Sequence, residues 1–474
     1  MYTKTDIKLW EHQRRGVAQA LAQRDYALFI DLGGGKTCTA INILARRFDE
    51  AGRVRRTLIV GPIAVVENWR RELARFSNIP AQDVVTLTGA GKKRVETLEK
   101  LCRADEHKIL IMNYEGLAMA DVHRALLWYS PEILIFDESH RCKSISAKRT
   151  RSAISLADRA AHRYILTGTP ILNSPMDVFA QYRILDAGAT FGQNFCVFRN
   201  HYFFDRNAGM PSHKYFPDWR PRDGAYQALQ DRMYTKAMRV LKSECMDLPP
   251  LVRKRVYCEM SPAQAKNYRE MLRSFIAYLD DKACVAELAL TKGLRLQQIL
   301  TGFFVDTNGA ATVYEKNPRI DALRDTLENI PTGEKAIIWA CFRENYRAIG
   351  TMLDELGIKY VSLVGGMKDS ERQAAIDAFQ DDSSVHVMLA NQAAGGTGIN
   401  LTAASYAIYY SRNFRLEDDL QSEARNYRGG SERHTSITRI DLVTPGTIDE
   451  VILDALASKE NIANTILTIK GKLI

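Results

Sequence analysis

Ile30-Asp-Leu-Gly-Gly-Gly-Lys-Thr37 is a glycine-rich stretch that closes on Lys-Thr. The apolar run Tyr26-Ala-Leu-Phe-Ile30 leads into it and reads as a buried parallel strand. Ile41, Leu44, Ala45 and Phe48 follow at three- and four-residue spacing, which predicts a helix. Strand, glycine loop, Lys-Thr and helix form the layout of a phosphate-binding loop. Glycines such as Gly33 and Gly35 let backbone N–H groups face phosphates, and the helix N-terminus adds positive potential. Lys36 would reach the terminal phosphates, and Thr37 would offer its hydroxyl to a magnesium ion. The general pattern asks for a glycine five residues before Gly35, where this chain has Ile30.

A second anchor lies about one hundred residues on, at Ile133-Leu-Ile-Phe-Asp-Glu-Ser-His140. A buried strand that delivers two adjacent carboxylates is costly unless they are paired or hold a metal. Asp137 would complete the magnesium site with Thr37, and Glu138 would orient and deprotonate the attacking water. Together the two motifs point to hydrolysis of a nucleoside triphosphate.

Size and composition set the frame. A chain of 474 residues is expected to form two or three domains. Its charge of +9 and pI near 9.0 favour a polyanionic partner. Eight scattered cysteines without a Cys-x-x-Cys pair argue against a zinc site or a disulfide framework. No apolar run spans a bilayer and the N-terminus lacks a secretory core, so a cytoplasmic, membrane-free protein is expected.

Apolar runs at 57–60, 108–112, 133–136 and 164–166 alternate with helical segments, the pattern of a parallel sheet covered on both faces. From about 176 to 250 the chain reads as a helical insert rich in aromatic and basic residues. Residues 252–258 read as one more strand, 263–279 and 285–300 as helices, and 307–316 as a polar loop. A second alternating series follows at 335–339, 359–363, 385–389, 407–410 and 438–443. The expected architecture is α/β, two tandem sheet lobes with a helical insertion. Lobe one is expected over 1–260, a helical bridge over 261–317 and lobe two over 318–474.

Asp137-Glu-Ser-His140, with Leu166-Thr-Gly-Thr-Pro170, resembles the superfamily-two helicases and translocases, more narrowly their Swi/Snf-like branch. The match continues in order. His12-Gln13 stands where that branch reads adenine, so Gln13 joins the expected nucleotide contacts. Leu58-Ile-Val-Gly-Pro-Ile63 and Glu67-Asn-Trp-Arg-Arg-Glu-Leu73 are similar to a motif that faces nucleic acid. Leu248-Pro-Pro and Met260–Tyr268 resemble the passage joining the lobes. Gly395-Gly-Thr-Gly-Ile-Asn-Leu401 resembles the glycine motif of the second lobe. Gln421-Ser-Glu-Ala-Arg-Asn-Tyr-Arg428 resembles the final motif, which supplies arginine fingers. The resemblance implies RecA-like lobes using ATP and Mg²⁺, with Gln421 at the nucleotide and Arg425 and Arg428 as the fingers. Three apart, those arginines are expected on one face of a helix, and His140 is expected to couple the lobes. Departures are Gly429-Gly-Ser where Ile-Gly-Gln is usual, Gly34 for a bulkier residue, and Trp10-Glu11 ahead of His12. The implied function is an ATP-driven motor on double-stranded DNA, with RNA open as the track. The alternative is a helicase that separates strands, and protein partners are not legible.

Overall fold

The structure is a computed structural model that describes residues 1–457 except 172–173, 211–216, 242–243, 245–247, 281–285, 307–308 and 396–398. It forms two compact units, Met1–Met246 and Asp247–Ile474.

The first unit is built on a parallel sheet. Its strands are β1 (Asp25–Ile30), β2 (Thr57–Gly61), β3 (Val84–Leu87), β4 (Ile109–Asn113), β5 (Ile133–Asp137) and β6 (His162–Leu166). A short antiparallel pair, β7 (Phe203–Asp205) and β8 (Trp219–Pro221), lies outside that sheet, and β9 (Ala237–Val240) returns to its edge. The order is β3-β4-β2-β5-β6-β1-β9. The strands are apolar on both faces because helices cover both. Ala27, Phe29, Leu134, Phe136 and Ile165 feed one core, while Leu28, Ile30, Ile133, Ile135 and Leu166 feed the other. This two-residue alternation fixes the register. The helix Lys36–Ala51 turns Ile41, Leu44 and Phe48 into the second of these cores. The expected helical insert does contain helices, at Val178–Asp186, Phe195–Tyr202 and Ala225–Met233. It also carries β7 and β8 and supplies β9 to the main sheet.

The second unit begins with β10 (Leu251–Tyr257), followed by helices Pro262–Asp280 and Ala286–Leu300 and the hairpin β11 (Phe303–Val305) and β12 (Ala311–Val313). The strand at 311–313 falls in the segment expected to be loop. Then come β13 (Ala336–Ala340), β14 (Tyr360–Leu363), β15 (Val387–Asn391), β16 (Tyr406–Tyr409) and β17 (Ile437–Val443). The sheet order is β10-β17-β16-β13-β15-β14, parallel throughout. Strand β10 was expected inside lobe one, and it pairs instead with β17 over seven residues, from Leu251 opposite Ile437 to Tyr257 opposite Val443.

One buried ion pair ties the first sheet at the end away from the glycine loop. Asp25 opens β1 opposite Arg163 of β6, and the guanidinium grips its carboxylate at 2.8 and 3.2 Å while a third N–H reaches Ala157 O at 3.0 Å. Arg163→Met is expected to destabilise the first unit by about 3–5 kcal/mol, since it strands a buried carboxylate. The double variant Asp25→Leu/Arg163→Met should recover most of that loss. Denaturant unfolding of the three proteins checks both outcomes.

Candidate nucleotide site

Strands β5, β6 and β1 are consecutive in the sheet and parallel, so their carboxyl ends open side by side. Ligand-binding residues of such sheets collect at these ends. The glycine loop leaves β1, Asp137-Glu138 ends β5, and Thr167 follows β6. Topology alone therefore gathers three segments that are far apart in sequence.

The loop is closely braced. Gly35 adopts φ +81° at the N-cap of the helix Lys36–Ala51, and a Cβ there would lie 2.1 Å from Gln13 Nε2. Only glycine fits both constraints. Gln13 thus lies directly over the loop, held by Trp10 N–H donating to its Oε1 at 2.9 Å. His12 Nε2 donates to Gly34 O at 2.8 Å, a role for His12 that its place beside Gln13 did not reveal. Lys36 is buried, and its ammonium donates to Ile30 O at 3.0 Å. Ile30, the residue that departs from the usual loop pattern, thereby contributes through its carbonyl rather than its side chain. Gly33 is also left-handed, at φ +89°, and Thr37 lies half-buried in the first turn of the helix.

Asp137 and Glu138 are both buried. Trp69 Nε1 donates to Asp137 Oδ2 at 2.9 Å, the Glu138 N–H donates to Oδ1 at 3.0 Å, and Tyr114 OH donates to the Asp137 carbonyl at 2.8 Å. Burial and the neighbouring Glu138 charge push the Asp137 carboxyl up to about 6, against the pull of Lys36 and Trp69. Glu138 sits at φ +53°, a left-handed conformation that is costly for a residue with a long side chain. Its carboxylate lies 3.4 Å from the Thr167 hydroxyl and 3.5 Å from His140 Nδ1. His140 Nδ1 is also 3.0 Å from Thr167 Oγ1, which accepts the Thr169 N–H at 3.1 Å. Ser139 Oγ donates to Gln181, whose amide donates to Pro170 O at 2.7 Å. These bonds bind the Asp137–His140 segment to Thr167–Pro170. These contacts of His140 with Glu138 and Thr167 lie inside the first unit, whereas His140 was expected to couple the lobes.

Trp69 also departs from expectation. The motif that carries it was read as facing nucleic acid, yet the indole is 1% exposed and points at Asp137. Asn68 is half-buried and donates to Glu72 at 3.1 Å. A lone Trp inside a helix whose apolar positions already face the core gave no sign of a polar partner.

In the second unit the helix Leu416–Glu423 ends before Arg425, so Arg425 and Arg428 do not share a helix face as expected. They are brought together by another device. Both donate an Nη1–H to Ile399 O, at 3.0 and 3.1 Å, and Leu401 N–H donates to Arg425 O at 2.9 Å. Arg425 Nε also donates to the carbonyl of Gln421, whose own amide donates to Glu417 at 3.0 Å. The centre of the Gly395–Leu401 motif lies outside the described residues.

The chain thus carries two parallel-sheet units in tandem, with a glycine loop beside an acidic strand end in the first and clustered arginines in the second. The chain belongs to the SNF2-related family: the SNF2-related domain matches residues 12–302, and a helicase conserved C-terminal domain matches 318–430. It is 26% identical over 454 residues to the chromodomain-helicase-DNA-binding protein 1-like of Danio rerio, covering 92% of this chain and 41% of that protein. The Mus musculus protein of the same name is also 26% identical, over 98% of this chain and 50% of its own length. The TATA-binding protein-associated factor mot1 of Aspergillus fumigatus is 25% identical, over 92% of this chain and 25% of its own length. The chain thus spans half or less of the length of these relatives. Among solved structures it is similar to the Sulfolobus solfataricus SWI2/SNF2 ATPase core in complex with dsDNA, at 21% identity and a TM-score of 0.43, covering 98% of this chain and 95% of that one. The family found is the one that the motifs resemble.

Trp69→Phe preserves the packing and deletes the only N–H the indole offers Asp137. A hydrogen bond to a charged group is worth roughly 1.5–3 kcal/mol, so the variant should stay folded and turn ATP over about 10-fold more slowly. Steady-state ATPase rates alongside melting curves check this, and an unchanged rate would remove Trp69 from the site.

Proposed function

We propose that the chain is an ATP-dependent motor of the Swi/Snf type that hydrolyses ATP to move along double-stranded DNA, or to remodel protein–DNA complexes. The observation that carries this reading is the convergence of the glycine loop, Asp137-Glu138 and Thr167 at the ends of three neighbouring strands in a chain of the SNF2-related family.

Each residue has one task. Gln13, over the loop, reads the adenine. The backbone around Gly33 and Gly35 and the ammonium of Lys36 hold the phosphates. Thr37 and Asp137 are the hard oxygen donors that suit magnesium, and two adjacent buried carboxylates carry the excess negative charge that a divalent cation offsets. When bound, the metal neutralises phosphate charge. Glu138 takes the proton of the attacking water, its carboxylate aimed by Thr167 and His140. Gln421 contacts the nucleotide, and Arg425 and Arg428 act as fingers on the charge that develops at the transferred phosphate.

The track proposed is duplex DNA, gripped through its phosphates. The net charge of +9 suits a polyanion, and relatives of similar sequence carry DNA binding in their names. Phosphate contacts are blind to base sequence, and each one releases condensed counterions, so log affinity should fall with log salt at about −0.9 per contact.

Two experiments test the reading. Lys36→Ala should keep the fold and lose ATP turnover, whereas Glu138→Gln should bind ATP and stall. Turnover of Glu138→Gln near the wild-type rate would mean that Glu138 is not the base. Translocation is read by displacement of a third strand from a triplex, and unwinding by opening of a forked duplex. Third-strand displacement that needs ATP, with little fork opening, is the expected pair of results. Fork opening without triplex displacement would refute a motor on intact duplex.

A further inference from the structure

Six charged side chains in the second unit cluster around the ring of Tyr409, and none belongs to the set assigned above. Tyr409, at the end of β16, is buried and carries two guanidiniums on its ring, Arg412 at 4.6 Å and Arg439 at 4.1 Å from the centroid. Arg439 of β17 grips Asp419 with two nitrogens at 3.0 Å each, Glu423 at 2.8 Å and Asp441 at 3.1 Å. Arg412 lies 3.4 Å from Asp419 and also bonds Asp441. Arg253 of β10, more exposed, reaches Glu423 at 2.7 Å. Burial opposes the Arg439 charge, yet Tyr409, Asp419, Asp441 and Glu423 more than offset it.

Three cations and three anions balance, but balance is not a reason for such a cluster. Apolar residues of the same volume would hold a core as well or better. What the cluster adds is direction. Asp419 and Glu423 are four apart on the helix Leu416–Glu423 and so share a face. Arg439 fastens that face to β17, and Arg253 fastens its last residue to β10. The helix ends there, and Arg425 follows two residues later with its Nε on the Gln421 carbonyl at 2.8 Å. The guanidiniums of Arg425 and Arg428 inherit their position from the pose of this helix.

We propose that Arg439, acting through Asp419 and Glu423, is a positioning residue that sets the geometry of Arg425 and Arg428. The proposal rests on the reading of those two arginines as fingers. A guanidinium makes a planar fork that an ammonium cannot reproduce, so Arg439→Lys keeps the charge and loses the orientation. Misplacement of a reacting group by about 1 Å can cost about 10²-fold in rate.

The test is a cycle on the full chain, with DNA-stimulated ATP turnover as the readout. Arg439→Lys is expected to lower kcat about 10- to 100-fold and to leave the KM for ATP within about twofold. Placed in an Arg425→Ala/Arg428→Ala background, it should cost nothing further, because there is nothing left to position. An unchanged kcat, or a loss that multiplies with the finger variants, overturns the proposal. A merely structural Arg439 would give the multiplying loss with KM and melting temperature moving in step. If Arg439→Lys does not fold, Glu423→Gln at the rim of the cluster carries the same cycle with the same expectations. Wild-type turnover of Arg425→Ala/Arg428→Ala would instead refute the finger reading and this proposal with it. Loss there with a multiplying Arg439→Lys effect would refute positioning alone.

Discussion

Two carboxylates side by side at the end of a fully buried strand are the constraint on which the first unit depends. Strand β5 is buried from Ile133 to Asp137, and Glu138 is buried beyond it. Solvation cannot pay for these charges, so protein groups must offset them. An indole N–H, a backbone N–H and the nearby Lys36 charge meet Asp137, while Glu138 turns through a left-handed conformation toward Thr167 and His140. The compensation is partial, as the upward shift of Asp137 indicates. The left-handed turn at Glu138 sends the two carboxylates to different partners, Asp137 to Trp69 and Glu138 to Thr167 and His140.

The second unit meets the same problem with the opposite residues. There the buried carboxylates of Asp419 and Asp441 and the half-buried one of Glu423 are matched by Arg412, Arg439 and Arg253. No surplus of charge remains in that group. Arg425 and Arg428 lie outside that group and meet at one carbonyl oxygen, Ile399 O.

Much of the fold was legible because a buried parallel strand is a short apolar run and its helices are periodic. The glycine loop, the acidic strand end and most strands of both sheets could be placed that way. Strands β3 and β9 could not: Val84–Leu87 is only partly buried and Ala237–Val240 has four residues within a polar stretch. Strand β10, Leu251–Tyr257, was legible as a strand but not as a member of the second sheet, since pairing with β17 spans nearly two hundred residues and leaves no local trace. Residue types and spacing singled out Lys36, Thr37, Asp137 and Glu138 as candidates. The indole of Trp69, the imidazole of His12 and the carbonyls of Ile30 and Ile399 were hidden for a common reason. Their part is a hydrogen bond set by tertiary placement, and a backbone carbonyl carries no signature of residue type at all.

Glycine at position 35 marks where sequence and tertiary placement meet. Its left-handed φ is what a tight strand-to-helix turn asks for, and this much can be inferred locally. The second demand comes from Gln13 on another helix, which would lie 2.1 Å from any Cβ there. Glycine therefore does two things: it turns the chain, and it lets the side chain above the loop approach the loop backbone. Replacing it with alanine would strain the turn and lift Gln13 away from the loop together. The glycine loop and the side chain expected to read the base are in that sense one element, built from two stretches of sequence some twenty residues apart.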